Sequence, residues 1–347
     1  MKIAAMGLGA SMRATAVTLG AGSLFLAAAT MAHADTAIKF SLDWKYEGPA
    51  APFLIAKEKG YFKAEGLDVT IDTGSGSVEP INRVASGAYQ MGFGDINSVL
   101  KFNDANPTAA IKSIYMLYNK PSFAIVGRKS LGISAPKDLE GKKLGAPAAD
   151  GAFAQWPIFV KANGIDASKV TLENIGFPVR EPRLAKGDVA AVTGFSFSSY
   201  INLKAAGTPA ADIVVLLMAD FGVSLYGNTI IVSPAFAKDN PNAVKGFLRA
   251  FNKAVKETIA NPEAGVALVV AANPVADKAT ELERLKMALS QNVVTAETKT
   301  VGLGGVDPAR VGKAIDQMAL TFTFKTKPTV EAAFDPSFLP PMAERTP

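Results

Sequence analysis

The residues of this chain best suited to chemistry stand where strands end. Asp43-Trp44-Lys45-Tyr46-Glu47-Gly48-Pro49 closes an alternating strand and gathers two carboxylates, an indole and a phenol in one loop. In open α/β sheets ligands collect at the C-terminal ends of strands, and an indole there can stack on a flat ligand for roughly 0.5–1.5 kcal/mol beyond area burial. The alternative for Trp44 is a plug in the core, but its Asp, Lys, Tyr and Glu flanks are too polar for that role. Thr73-Gly74-Ser75-Gly76-Ser77 precedes a helix and offers small hydroxyls and helix-start N–H groups to an anion or a carbonyl. It is equally an ordinary strand-to-helix turn. It matches neither a Walker loop nor G-x-G-x-x-G, so nucleotide binding is not implied. Gly94-Asp95-Ile96-Asn97 repeats the placement one unit later, with Asp95 most simply a helix cap. Tyr118-Asn119 closes a further strand. In the second half, Ala148-Ala149-Asp150-Gly151 and Gly194-Phe195-Ser196 repeat the same strand-end logic on an opposing wall. The candidate solute-binding set is therefore Asp43, Trp44, Tyr46, Ser75, Gly76, Ser77, Asp95, Asn97, Tyr118, Asp150, Gly151, Phe195 and Ser196. Trp156, beside Pro157 in an apolar stretch, reads as core.

Much other chemistry is excluded. The 347 residues hold no Cys and one His. That His33 sits in a predicted export signal with a basic start (Lys2, Arg13), the apolar run Val17–Ala29 and an A-x-A site at Ala32-His33-Ala34, cleaved after Ala34. The mature chain would begin at Asp35 without His or Cys. N/S-ligated zinc or copper, Ser-His-Asp and Cys-His arrangements, disulfides and a lipid anchor on a Cys are then all out of reach. No catalytic residue, metal or cofactor is expected. Ser134-Ala135-Pro136-Lys137 matches S-x-x-K by chance, since S-D-N and K-T-G are missing. Nothing beyond the signal approaches a membrane span. The net charge of +5 falls to +3 without Lys2 and Arg13, and the basic residues are scattered among acids, so no nucleic-acid partner is expected.

These loops need a scaffold, and the pattern supplies one. Strand and helix signals alternate, predicting an α/β architecture with mainly parallel sheets. Strands are expected at Ile38–Leu42, Leu67–Asp72, Met91–Gly94, Ile111–Leu117, Phe123–Val126, Leu144–Ala146, Val170–Ile175, Val189–Thr193, Ile213–Met218 and Tyr226–Val232. Ser77 is the expected N-cap of a helix to Ala85, and a helix from about Gly151 to Ala162 should bend at Pro157. From Pro234 the chain reads as helical. Pro241 to Ile259 places Val244, Phe247, Leu248, Phe251 and Val255 on one apolar face.

Leu42-Asp43-Trp44, Ala56-Lys57-Glu58-Lys59-Gly60-Tyr61-Phe62 and Glu65-Gly66-Leu67-Asp68-Val69 together resemble the opening of NMT1/THI5-like proteins. These are solute-binding proteins of ABC importers for nitrate, sulfonates, taurine, riboflavin or thiamine-precursor pyrimidines. Pro136-Lys137-Asp138-Leu139-Glu140-Gly141-Lys142 resembles the stretch that opens their second lobe. Ala185-Lys186-Gly187-Asp188-Val189-Ala190-Ala191 and Phe334-Asp335-Pro336-Ser337-Phe338-Leu339-Pro340 resemble later family segments. The resemblance implies a type II periplasmic-binding-protein fold: two α/β lobes, two hinge crossings near Ala124–Arg128 and Gly227–Ser233, and a ligand in the inter-lobe cleft. Residues 35–126 with 230–347 would form lobe 1, and residues 127–229 lobe 2.

What the resemblance implies about function is a monomeric periplasmic carrier. It would trap a small planar or anionic organic solute (a heterocycle, aromatic acid or sulfonate) by hinge closure and deliver it to an ABC permease and its ATPase. Pyrimidine-binding relatives tend to carry Asn-His where this chain has Glu47-Gly48-Pro49-Ala50, and the eukaryotic pyrimidine synthase of the superfamily consumes an active-site His that the mature chain lacks. An anion would call for an Arg or a helix start in the cleft. Arg180 and Arg183 are candidates, with a solvated-surface reading favoured. A ligand-sensing adaptor for a membrane sensor and a carboxylate- or Lys-based enzyme are the alternatives.

Overall fold

The computed structural model describes residues 35–347, so the expected export signal lies outside the described residues. Alternation of apolar and polar side chains makes a strand of β1 (Thr36–Ser41), which buries Ile38 and Phe40, and of β2 (Leu67–Asp72), which buries Leu67, Val69 and Ile71. Between them run α1 (Ala51–Glu58) and the short α2 (Tyr61–Ala64). Then come α3 (Val78–Ala85), β3 (Met91–Asp95), α4 (Ile96–Ala105) and β4 (Lys112–Met116). The second unit holds β5 (Phe123–Arg128), β6 (Lys143–Ala146), α5 (Trp156–Ala162), β7 (Thr171–Asn174), α6 (Arg180–Lys186), β8 (Ala191–Phe195), α7 (Ser196–Ala205) and β9 (Ile213–Leu217). After β10 (Asn228–Val232) the chain is helical: α8 (Pro234–Asp239), α9 (Pro241–Ala260), α10 (Pro262–Ala272), α11 (Lys278–Ala288), α12 (Thr298–Val301) and α13 (Pro308–Ala319). A π-helical turn, Leu289–Val293, extends α11. Among the described residues no helix is long and apolar enough to cross a membrane.

Two five-stranded sheets result, ordered β2-β1-β3-β10-β4 and β7-β6-β8-β5-β9. The sheets are mainly parallel, as expected, with one exception in each: four strands run the same way and one runs against them. β1 runs parallel to β2 and β3, and β6 to β7 and β8, but β10 is antiparallel to β3 and β4, and β5 to β8 and β9. Each antiparallel strand is the one that arrives from the other sheet, so it enters against the local βαβ direction. The passages themselves are Leu117–Ser122 and Met218–Gly227 and lie N-terminal to the expected positions, because β5 pairs along its length with β8 and β9. The two passages touch: the Gly227 N–H donates to the Tyr118 carbonyl at 3.0 Å.

Pro157 corrects a second expectation. It sits in the first turn of α5, where its missing N–H costs nothing, so it starts the helix rather than bending it. The first core gathers Phe40, Phe53, Phe62, Phe247 and Phe251 between sheet one, α1 and α9. A second core spans both lobes. It joins Ile96 and Met116 to Phe123, Trp156 and Phe159, and to Val311, Ile315 and Met318 of α13.

Candidate functional site

The loop after β1 turns Asp43, Trp44 and Glu47 into a narrow cavity of about 50 Å³ between the sheets. Phe53 and Phe93 form its floor and Tyr118 enters from the first passage, while Asp150, Gly151, Phe177, Arg180, Phe195, Phe197 and Ser198 face them from the second lobe. The rings touch across the cleft. Trp44 meets Phe177 edge-on at 4.8 Å between centroids, and Tyr118 meets Phe195 and Phe197 at 6.4 and 5.7 Å. Edge-to-face pairs at such separations add to area burial. The Trp44 indole N–H leans toward the Glu47 carboxylate but is sealed from solvent without a hydrogen-bond partner.

The Gly-rich loop is the strand-to-helix turn from β2 to α3, and it also buttresses the first loop. The Gly76 N–H donates to the Asp43 carbonyl at 2.8 Å and the Gly74 N–H to that of Trp44 at 3.2 Å, so these groups hold the first loop in place. Gly76 has φ +93° and abuts the second lobe, where a Cβ would meet the Ala149 carbonyl oxygen at 2.6 Å. Both the left-handed backbone and the close approach demand glycine there. Ser77 occupies the cap position of α3 without a side-chain bond, contrary to expectation.

Electrostatics sharpen the wall. Asn228 Nδ2 donates to Asp43 Oδ2 at 2.7 Å, yet burial, aided by the nearby Glu47, pushes the Asp43 carboxyl up to about 7. Burial also raises the Glu47 and Asp150 carboxyls, with Arg284 and Arg180 respectively opposing. Arg180 is 3% exposed, and the surface reading of this residue is corrected. Burial opposes its charge, but Glu181 and Asp150 outweigh that and hold the guanidinium protonated. Its Nη2 lies 2.7 Å from Glu181 Oε1, and Ser199 Oγ donates to the same oxygen at 2.8 Å. Arg183 instead reaches Glu173 at 2.7 Å, away from the cavity.

Of the residues singled out from sequence, Asp43, Trp44, Gly76, Tyr118, Asp150, Gly151 and Phe195 meet at the cavity. The others lie off its lining, and Tyr46, Asp95 and Asn97 have structural work. Tyr46 OH donates to the Ile71 carbonyl at 2.7 Å, and Ser75 is exposed. Asp95 caps α4 through the N–H groups of Asn97 and Ser98 and receives Gln155 Nε2 from the second lobe at 3.0 Å. Asn97 Nδ2 donates to Asp95 and to the Tyr226 carbonyl. Ser77 and Ser196 are buried beside the cavity without lining it. Sequence reasoning did not place Glu47, Phe177 and Phe197 on the wall. The Gly176-Phe177-Pro178 turn after β7 is a strand end of the same kind as the others and was the available signal.

Residues 49–265 match the profile of the family described as NMT1/THI5 like. The chain is 26% identical over 297 residues to the riboflavin-binding protein RibY of Chloroflexus aurantiacus, covering 84% of this chain and 82% of the relative. It is 27% identical over 247 residues to a 4-amino-5-hydroxymethyl-2-methylpyrimidine phosphate synthase of Aspergillus parasiticus, covering 69% and 71%. Among solved structures, the alkanesulfonate-binding protein SsuA of Xanthomonas axonopodis, bound to MOPS, superposes with a TM-score of 0.67 at 14% identity over 87% of this chain and 99% of that one. The two-sheet architecture is that of the type II periplasmic-binding-protein fold. With the match spanning more than half of its length, the chain belongs to the NMT1/THI5 like family.

Proposed function

We propose that this chain is the periplasmic solute-binding component of an ABC importer, exported by residues 1–34 and closing its lobes over a small planar organic solute for delivery to a permease. The observation that carries the reading is the inter-lobe cavity, walled by rings from both lobes with a few polar side chains among them, the make-up of a small-molecule site. Solute-binding relatives support it. Hinge closure brings Trp44 and Tyr118 from one lobe against Phe177 and Phe195 from the other, a geometry suited to sandwiching a flat molecule. Charge narrows the class. Three carboxylates, Asp43, Glu47 and Asp150, face the cavity, against the exposed Lys45, which lies over the Trp44 ring, and the buried Arg180, which is already paired with Glu181. Of the classes expected from sequence, this favours a planar heterocycle with N–H donors over a sulfonate or nitrate.

A thermal-shift panel of heterocycles, aromatic acids, sulfonates and nitrate tests the proposal. A true solute at 100 times its dissociation constant should stabilise by about 2.7 kcal/mol, and Trp44→Phe should weaken that shift. No shift across the panel would sink the binding reading. The synthase relative motivates a second reading, an enzyme working through carboxylates such as Asp43 and Glu47. Mass spectrometry of the bound heterocycle after long incubation separates the two: recovery of the unaltered compound supports carriage, a changed mass catalysis.

A further inference from the structure

Helix α11 lies against α10 in the first lobe and against α7 in the second, so it bridges the cleft beside the cavity. Its Arg284 is 3% exposed and serves both lobes at once. On its own side, Nε donates to Glu281 Oε2 at 3.0 Å, and Nη1 lies 3.5 Å from Glu47 Oε2. Across the cleft, Nη1 donates to the Ser198 carbonyl at 3.3 Å and Nη2 to Asn202 Oδ1 at 3.0 Å, both on α7. Glu281 Oε2 in turn accepts the Gly48 N–H at 2.6 Å, fixing the loop that carries Glu47. The approach is so close that a Cβ at Gly48 would meet the Glu281 carbonyl oxygen at 2.3 Å. Glu47 and Ser198 both line the cavity, and Ser198 Oγ points to Glu47 Oε2 at 3.4 Å.

Separating the lobes leaves the bonds to Glu281 and Glu47 in place, because all three residues belong to the first lobe. What breaks is the pair of bonds to Ser198 and Asn202. We propose that Arg284 is a positioning residue that latches α7 over the cavity, holding Glu47 and Ser198 in the solute wall and setting the balance between open and closed forms. The exposed Lys204–Glu283 pair also spans α7 and α11, but such pairs are worth little. The inference rests on the solute-binding reading for its purpose, though its test needs no solute.

Trp44 reports the state of the cleft, since Phe177 from the other lobe covers it in the closed form. In a Trp156→Phe background Trp44 is the one remaining tryptophan. Arg284→Met and Asn202→Ala are compared with that background by emission maximum and acrylamide quenching, with circular dichroism as the check on folding. Because hydrogen bonds to a charged group are lost, the closed-to-open ratio should fall roughly tenfold in each, seen as a red shift and faster quenching. Glu283→Gln should match the background. If Arg284→Met fails to fold with Glu281 left unpaired, Asn202→Ala, which leaves both carboxylate contacts intact, decides the matter. Quenching unchanged in folded Asn202→Ala, or Glu283→Gln opening the cleft equally, overturns the latch. A panel in which no solute binds would defeat the carrier reading while leaving this measurement interpretable.

Discussion

Asp43 is held where its charge is least welcome. It keeps a bond from Asn228 Nδ2, but burial pushes its carboxyl up to about 7, against roughly 3.9 in an unfolded chain. A folded value raised in this way favours the neutral form. Its contribution to stability is therefore complete below about pH 4 and is lost as pH rises through 7. Asp43→Asn keeps an acceptor for Asn228 and removes the titration. The stability of the wild type relative to this variant should fall by on the order of 2–4 kcal/mol between pH 4 and pH 8. Urea melts at both values measure it, and a difference independent of pH would show that the carboxyl ionises normally. At this scale the sequence was readable where strand-end logic applied, as at Trp44, Tyr118 and Asp150. It favoured the surface for Arg180, whose Val-Arg-Glu-Pro-Arg surroundings look like a solvated helix start. Glu181 is its neighbour in sequence, but only the fold brings Asp150 and Ser199 to the pair. Ser77, Asp95 and Asn97 share the right address, but the backbone of α4 and the passage at Tyr226 claim Asp95 and Asn97.

The elements that set the hinge are tied by side chains from the C-terminal helices. Arg310 of α13 donates to the carbonyls of Asn119 at 2.9 Å and Leu225 at 2.6 Å, one in each passage, and pairs with Glu297 at 3.0 Å. Glu297 accepts from Asn119 Nδ2 and Tyr226 OH, and the Arg310 guanidinium stacks 4.0 Å from the Tyr226 ring. The π-helical turn adds Asn292, whose Nδ2 donates to the Lys120 carbonyl at 3.0 Å. Arg310→Met should cost about 2 kcal/mol, between the values for exposed and buried pairs. It should also raise amide exchange at Gly227, where the passages meet, well above that in β1. Equal protection at both sites would mean that the passages hold together without Arg310. Strand and helix existence was legible from periodicity, whereas strand direction was not: an apolar run such as Tyr226–Val232 reads the same either way, and only its arrival from the second sheet sets β10 antiparallel. The brace was illegible for a related reason, because its partners come from positions 119, 225, 226, 297 and 310, scattered along the sequence.

For the molecule as a whole, the two-lobe plan followed from alternating elements and from the opening motif, since both depend on local order in the chain. The sharing of one core between lobes did not, because Ile96, Trp156 and Val311 meet only after both passages are made. If the lobes open as proposed, they should pivot about this apolar side while polar contacts release on the α11 side. The ring-lined cavity has one more consequence, in heat rather than geometry. A solute enclosed by Trp44, Phe53, Phe93, Tyr118, Phe177, Phe195 and Phe197 takes apolar surface out of water on both lobes, and such burial carries a negative heat-capacity change. Titration calorimetry at several temperatures should find the binding enthalpy growing steadily more exothermic on warming. An enthalpy that stays level with temperature would mean that the solute rests outside the rings, and that warmth and cold alter its capture for other reasons.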